Sequence, residues 1–194
     1  MKQTRPLCLA STSPRRRELL QRFGLEFAVY APHVDEQPLP GEDAGGHVVR
    51  LAQLKAEAPR ADFPGHGILA GDTVVVHEGA ILGKPTDPAD ARQMLERLSG
   101  TSHRVLSAWC ALDADTGQSG SGVVETRVTF RRLPPAWIRW YSRLDEALDK
   151  AGAYGIQGIG GAMVERIEGS YPNVVGFPIE VVVWELLSRG WLEL

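Results

Sequence analysis

A chain of 194 residues with 43% hydrophobic and 23% charged residues is long enough to bury most of its apolar surface as one large domain or two small lobes, and its composition excludes a disordered chain. The formal net charge of -3 excludes a sequence-wide attraction to nucleic acid or to an anionic membrane, so any anion-binding device must be local. No apolar run approaches membrane-spanning length, the run after Pro6 is too short for a signal-peptide core, and Cys8 and Cys110 lack metal-type spacing, which together predict a cytoplasmic protein with buried thiols.

The run Leu7 to Ala10 reads as a strand that stops at the hydroxyls Ser11, Thr12 and Ser13, after which a helix begins at Pro14 with Ser13 as its N-cap. Arg15, Arg16 and Arg17 crowd its first turn, where the helix dipole disfavours cations. An anion held by free backbone N–H groups, the hydroxyls and the guanidinium forks would compensate, and Ser11, Arg15 and Arg16 are the candidates; the alternative is a solvated basic turn. Gly24 suits the end of this helix, and Glu26 to Ala31 reads as a second strand. Asp35-Glu36 follow in a loop, as ligands for a hard cation or as solvated charges. From His47 to Ala58 the spacing predicts a helix whose apolar stripe Val48, Leu51, Ala52 ends at Lys55, which either snorkels to solvent or points its ammonium into a cleft.

Gly67 to Val76 is the most apolar run and reads as a central strand, interrupted by Asp72, a carboxylate that needs a metal, a cation or backbone donors there, or else stays protonated. A two-residue Glu78-Gly79 turn would set Val76 opposite Ile81 and bring Lys84 beside Asp72. Asp87 to Gly100 is a well-punctuated helix; Arg104 to Leu112 and Val123 to Phe130 are strand-like; Pro134-Pro135 opens a further helix, with Trp137 and Trp140 as packing residues. Asp149 to Gly161 holds five glycines, at a spacing that does not fit a dinucleotide fingerprint; it reads as a loop presenting Tyr154 as a stacking ring and Gln157 as an amide able to read a base edge, or as a plain flexible loop. Ala162 to Ile167 is expected as a strand, Gly169 to Asn173 as a turn, and a last helix follows Pro178 and ends at Gly190.

Five ordered motifs carry a resemblance. Ser11-x-Ser13-Pro14-Arg15-Arg16, Gly71-Asp72-Thr73, Gly83-Lys84-Pro85, Asp149 through Gly158 and Asn173-Val174-Val175-Gly176-x-Pro178 are similar to those of the Maf family, in its dTTP/UTP branch, over about Leu7 to Leu187. The resemblance implies a single domain over residues 1–194 with an α/β fold, a mixed sheet flanked by helices and two lobes around a central cleft, shared with inosine-triphosphatase-like enzymes. It implies hydrolysis of nucleoside triphosphates to a monophosphate and pyrophosphate, a divalent cation (Mg or Mn) and a homodimer, while the acidic balance argues against nucleic acid or membrane as partner. By position, Asp72 resembles the family's proton acceptor and, with Glu36, the carboxylates near the metal. Arg15, Thr73 and Gln157 match substrate-selecting positions, and Lys55 and Lys84 match further active-site charges. Gly71 stands where many members have alanine, and Phe177 replaces a usual leucine. The alternative readings are a nucleotide-binding regulator of septum formation without catalysis and a nucleic-acid-binding module, the latter prompted by Arg15, Arg16 and Arg17 with Trp137 and Trp140 and opposed by the acidic balance.

Overall fold

The computed structural model describes residues 1–194. The strands are β1 (Lys2–Gln3), β2 (Leu7–Ala10), β3 (Phe27–Tyr30), β4 (Gly67–His77), β5 (Ala80–Leu82), β6 (Ser102–Asp113), β7 (Ser119–Phe130), β8 (Val164–Glu168) and β9 (Leu192–Glu193). The helices are α1 (Pro14–Arg22), α2 (Ala44–Glu57), α3 (Pro88–Leu98), α4 (Pro135–Tyr141), α5 (Asp145–Leu148), α6 (Tyr171–Val175) and α7 (Ile179–Ser188), with 3-10 turns at Ala151–Ala153 and Ile159–Met163. The main sheet is mixed, in the order β3-β2-β4-β6-β7-β8 with β5 on β4, so the chain has the expected α/β class. No helix is long and apolar enough to cross a membrane.

The chain separates into two compact units, the first comprising Met1–Asp72, Ser107–Val124 and Gly176–Leu194, the second Thr73–Leu106 and Glu125–Val175. In the first, β2 pairs in parallel with β3 and β4, with Leu7 opposite both Phe27 and Gly67. Parallel strands need long crossovers, and α1 and α2 supply them. Because such strands are covered on both faces, Leu7 to Ala10 and Ile68 to Ala70 are all buried. The buried Cys8 and Cys110 are free thiols, pushed up by burial to about 11 and about 12 respectively.

In the second unit Glu78 and Gly79 both take positive φ, 50° and 81°, and set Val76 opposite Ile81, the register the sequence predicts for a two-residue turn. Asp87 caps α3 by accepting from the amides of Ala89 (2.7 Å) and Asp90 (2.8 Å). The core gathers Val75, Leu95, Val128, Phe130, Ile138, Tyr141, Tyr154 and Met163, with Trp137 packed against it. Trp140, expected as packing, is 47% exposed and meets Trp137 edge-on.

Some boundaries differ from expectation. α2 begins three residues before His47, because Asp43 accepts from the Gly46 amide and starts the helix ahead of the apolar stripe. Residues 159–163 form a 3-10 turn before β8, and the expected turn at 169–173 is instead capped by Ser170, whose hydroxyl accepts from the Asn173 amide at 3.1 Å, to open α6. The two-residue strands β1 and β9 pair antiparallel, a contact without local sequence signal.

Two packing features generate predictions. A Cβ on Gly71 would lie 2.7 Å from the Ala108 carbonyl and 2.9 Å from the Phe177 ring, so the glycine and the larger phenylalanine are one steric arrangement. Gly71→Ala should cost about 1–3 kcal/mol in urea unfolding, and adding Phe177→Leu should recover at least ~0.5 kcal/mol of it as coupling; strictly additive losses would separate the two positions. Further, His103 is 2% exposed, hydrogen-bonded through Nε2 to the Tyr154 hydroxyl at 2.8 Å, and depressed to about 4 by burial with a contribution from His77. A histidine lowered on folding contributes stability above its unfolded pKa near 6.5 and loses it as pH falls toward 4. Stability at pH 5 should therefore be about 2 kcal/mol below that at pH 8, and the drop should shrink in His103→Gln.

Candidate active site

The first unit contains a charge cluster built by three elements. Lys55 closes the inward stripe of α2, Asp72 lies on β4, and Glu36 sits in the loop after β3. The Lys55 ammonium is paired with Glu36 Oε1 at 2.6 Å and with Asp72 Oδ1 at 2.7 Å. Lys55 and Asp72 are 7% and 8% exposed, so of the two options open to the lysine the inward one is realised. Asp72 meets a cation, as a carboxylate inside an apolar strand requires.

The acidic loop is held in place by a clasp that the sequence reading did not identify. Glu42 accepts from Arg50 Nε (2.6 Å) and Nη2 (2.7 Å), from the Leu39 amide, and pairs with His47 Nδ1 at 3.0 Å. The Arg50 guanidinium holds the Glu42 carboxyl far below the usual carboxylate range. Arg50 Nη2 also donates to the Gln37 carbonyl at 3.0 Å, which ties down the residue beside Glu36. The eight-residue separation of Glu42 and Arg50, with a helix start between them, is the only signal that could have suggested the clasp.

At the start of α1 the three arginines part ways. Arg16 turns into the protein and donates from Nε to the Gly176 carbonyl (2.9 Å) and from Nη1 to Ser11 Oγ (3.1 Å). Burial lowers its pKa, with Asp72 and Glu36 opposing that effect and Arg15 adding to it. Arg15 is half-buried and Arg17 exposed. Ser13 occupies the N-cap position, but its side chain makes no capping bond; instead the Ser13 amide donates to Ser11 Oγ at 3.2 Å. Ser11 and Arg16 thus brace one another.

In the second unit the ladder of the β4–β5 hairpin stops at Leu82. Lys84 therefore lies beyond it, 68% exposed, and its near partner is Asp149 at 3.6 Å, while the near cation of Asp72 is Lys55. Thr73 is half-buried and Gln157 is exposed. Tyr154 is not a stacking ring on a loop: it is 5% exposed, bonded to His103 and packed edge-on to Phe130 with centroids 4.7 Å apart. Asn173 is wholly buried and donates to the Val105 carbonyl (3.0 Å) and Thr126 Oγ1 (2.8 Å), so the fifth motif braces the backbone.

Comparison with known proteins accords with these motifs. The model of the family described as Maf-like protein matches residues 6–189. A dTTP/UTP pyrophosphatase of Anaeromyxobacter dehalogenans is 51% identical over 95% of this chain and 94% of its own, and one of Syntrophomonas wolfei is 48% identical over 94% and 96%. A dTTP/UTP pyrophosphatase of Pyrococcus furiosus is 43% identical over 95% of both chains. Among solved structures, a nucleoside-triphosphatase (dITP/XTP pyrophosphatase) of Mycobacterium abscessus covers 97% of the chain at 14% identity and a TM-score of 0.47, a likeness too weak to bear on fold or chemistry. With a family model spanning nearly the whole sequence and relatives at this level of identity, the chain belongs to the Maf family.

Proposed function

We propose that this protein hydrolyses nucleoside triphosphates, with dTTP and UTP preferred, to the nucleoside monophosphate and pyrophosphate, and so clears the nucleotide pool. The observation that carries the reading is the buried ammonium of Lys55 between the carboxylates of Glu36 and Asp72, in a chain whose relatives are named dTTP/UTP pyrophosphatases. Asp72 is the proton acceptor for the attacking water, and Lys55 holds its carboxylate in place. Arg15 and Lys84 neutralise charge on the leaving pyrophosphate, Ser11 and Arg16 shape the turn that presents Arg15, and Thr73 and Gln157 select the substrate.

A divalent cation (Mg or Mn) belongs to the proposal. Glu36 and Asp72 aim oxygens at one position of positive charge, and no group of three or more acidic, histidine or cysteine side chains is available. That donor set fits an ion that takes one or two carboxylates and completes its shell with phosphate oxygens and water. When bound, such an ion supplies charge neutralisation on the phosphates and acidifies water. The reading extends to a homodimer, from the family resemblance, and to a cytoplasmic location, which the two free buried thiols support.

Pyrophosphate release from UTP and dTTP in the presence of Mg or Mn, lost on chelation, is the expected result; binding without release would favour a regulator. Asp72→Asn should lower turnover ~10²–10⁴-fold while the protein stays folded, since shape is kept and the base is lost. Near-wild-type turnover in the folded variant would remove Asp72 from the mechanism.

Base choice follows from Gln157. Uracil and thymine share an acceptor-donor-acceptor edge that an amide and neighbouring backbone groups match, whereas cytosine would leave partners unpaired at ~1–3 kcal/mol. UTP and dTTP should therefore exceed CTP in kcat/KM, and Gln157→Ala should compress the ranking. CTP performing best, or an unchanged ranking in the variant, would overturn this assignment.

A further inference from the structure

The glycine-rich segment after α5 is folded around a carboxylate. Glu146 Oε1 accepts from the Tyr141 hydroxyl (2.7 Å) and the Gly160 amide (2.9 Å), and Oε2 accepts from the Ile159 amide (3.2 Å). The Tyr141 oxygen in turn accepts from the Gly155 amide at 3.1 Å. Gln157 lies midway between these anchor points, two residues after Gly155 and two before Ile159.

The glycines themselves record this arrangement. A Cβ on Gly158 would overlap the Glu146 carboxylate, one on Gly155 would come within 3.0 Å of Oε1, and one on Gly160 would sit 2.5 Å from the Tyr141 hydroxyl. None of these three takes a positive φ; in this segment only Gly152 does so among the glycines. Their lack of a side chain therefore makes room for Glu146 and Tyr141. Burial pushes the Glu146 carboxyl up, but the hydrogen bonds from Tyr141, Gly160 and Ile159 and the charge of Lys150 outweigh it and hold the carboxyl below its ordinary range. It is an anion at neutral pH.

We propose that Glu146, acting through Tyr141 and the amides it binds, is the positioning residue for base selection: it fixes the backbone from Gly155 to Gly160 and so aims the Gln157 amide. The inference rests on Gln157 reading the base. An amide turned by 180° exchanges its donor and acceptor, so it tells uracil from cytosine only together with backbone groups held in a fixed frame. Six residues that include three glycines would not hold such a frame unaided.

The test is kcat/KM for UTP and CTP in Glu146→Gln, Tyr141→Phe and Gln157→Ala, with amide hydrogen exchange over residues 155–160 in the first two. Glu146→Gln keeps the size but sets an amide nitrogen against the Ile159 N–H; Tyr141→Phe removes the acceptor for Gly155 and serves if the first variant does not fold. The expected result is a UTP/CTP ratio reduced about tenfold in both, carried mainly by KM, with faster exchange of the loop amides. A ratio collapsed in Gln157→Ala but wild-type in Glu146→Gln and Tyr141→Phe would overturn this inference alone. An unchanged ratio in Gln157→Ala would overturn the base-reading role and this inference with it.

Discussion

The ammonium of Lys55 has almost no contact with water and two carboxylates within hydrogen-bonding distance. A buried charge left without its partner costs roughly 3–5 kcal/mol, so β4, α2 and the loop after β3 are obliged to keep their side chains converged on one point. Much else in the first unit serves that convergence. The Glu42–Arg50 clasp holds the loop that carries Glu36, the parallel pairing of β2 with β4 holds the strand that carries Asp72, and Arg16 sits close enough to feel both carboxylates. The arrangement fixes the orientation of the Asp72 carboxylate within the first unit.

Ser11 and Arg16 illustrate how residues of a sequence motif can serve the scaffold. Arginines in the first turn of a helix oppose its dipole, yet one of them is turned inward to a serine hydroxyl and a backbone carbonyl, where it stiffens the turn. That these residues of the motif serve as scaffold is visible only in the tertiary contacts. The same holds for Tyr154, whose phenol is committed to His103 in the core.

Several elements were legible because their causes are local. The Glu78-Gly79 hairpin register follows from two residues that accept positive φ, α3 from an aspartate cap and a terminal glycine, and β4 from an apolar run too continuous to lie on a surface. Other features had no local cause to read. β1 and β9 are two residues each and exist because their partner does, and α6 depends on a serine cap within a stretch dense in turn formers. The pairing of Lys84 with Asp149 lies past the end of the β4–β5 ladder, where register gives no guide.

By itself, the sequence determined the α/β class, the start of α1 at Pro14 and the apolar strand that encloses Asp72, since each depends on periodicity, capping or the length of an apolar run. Tertiary structure alone decided which cation Asp72 meets, which arginine turns inward, why Gly71 must lack a side chain beside Phe177, and what the glycine-rich segment encloses. The physical reason is the same in each case. Lys55 and Asp72 are 17 residues apart, Arg16 and Gly176 are 160 apart, and Glu146 and Gly160 are 14 apart; the energy of such pairs depends on distances set by packing, which no stretch of neighbouring residues encodes.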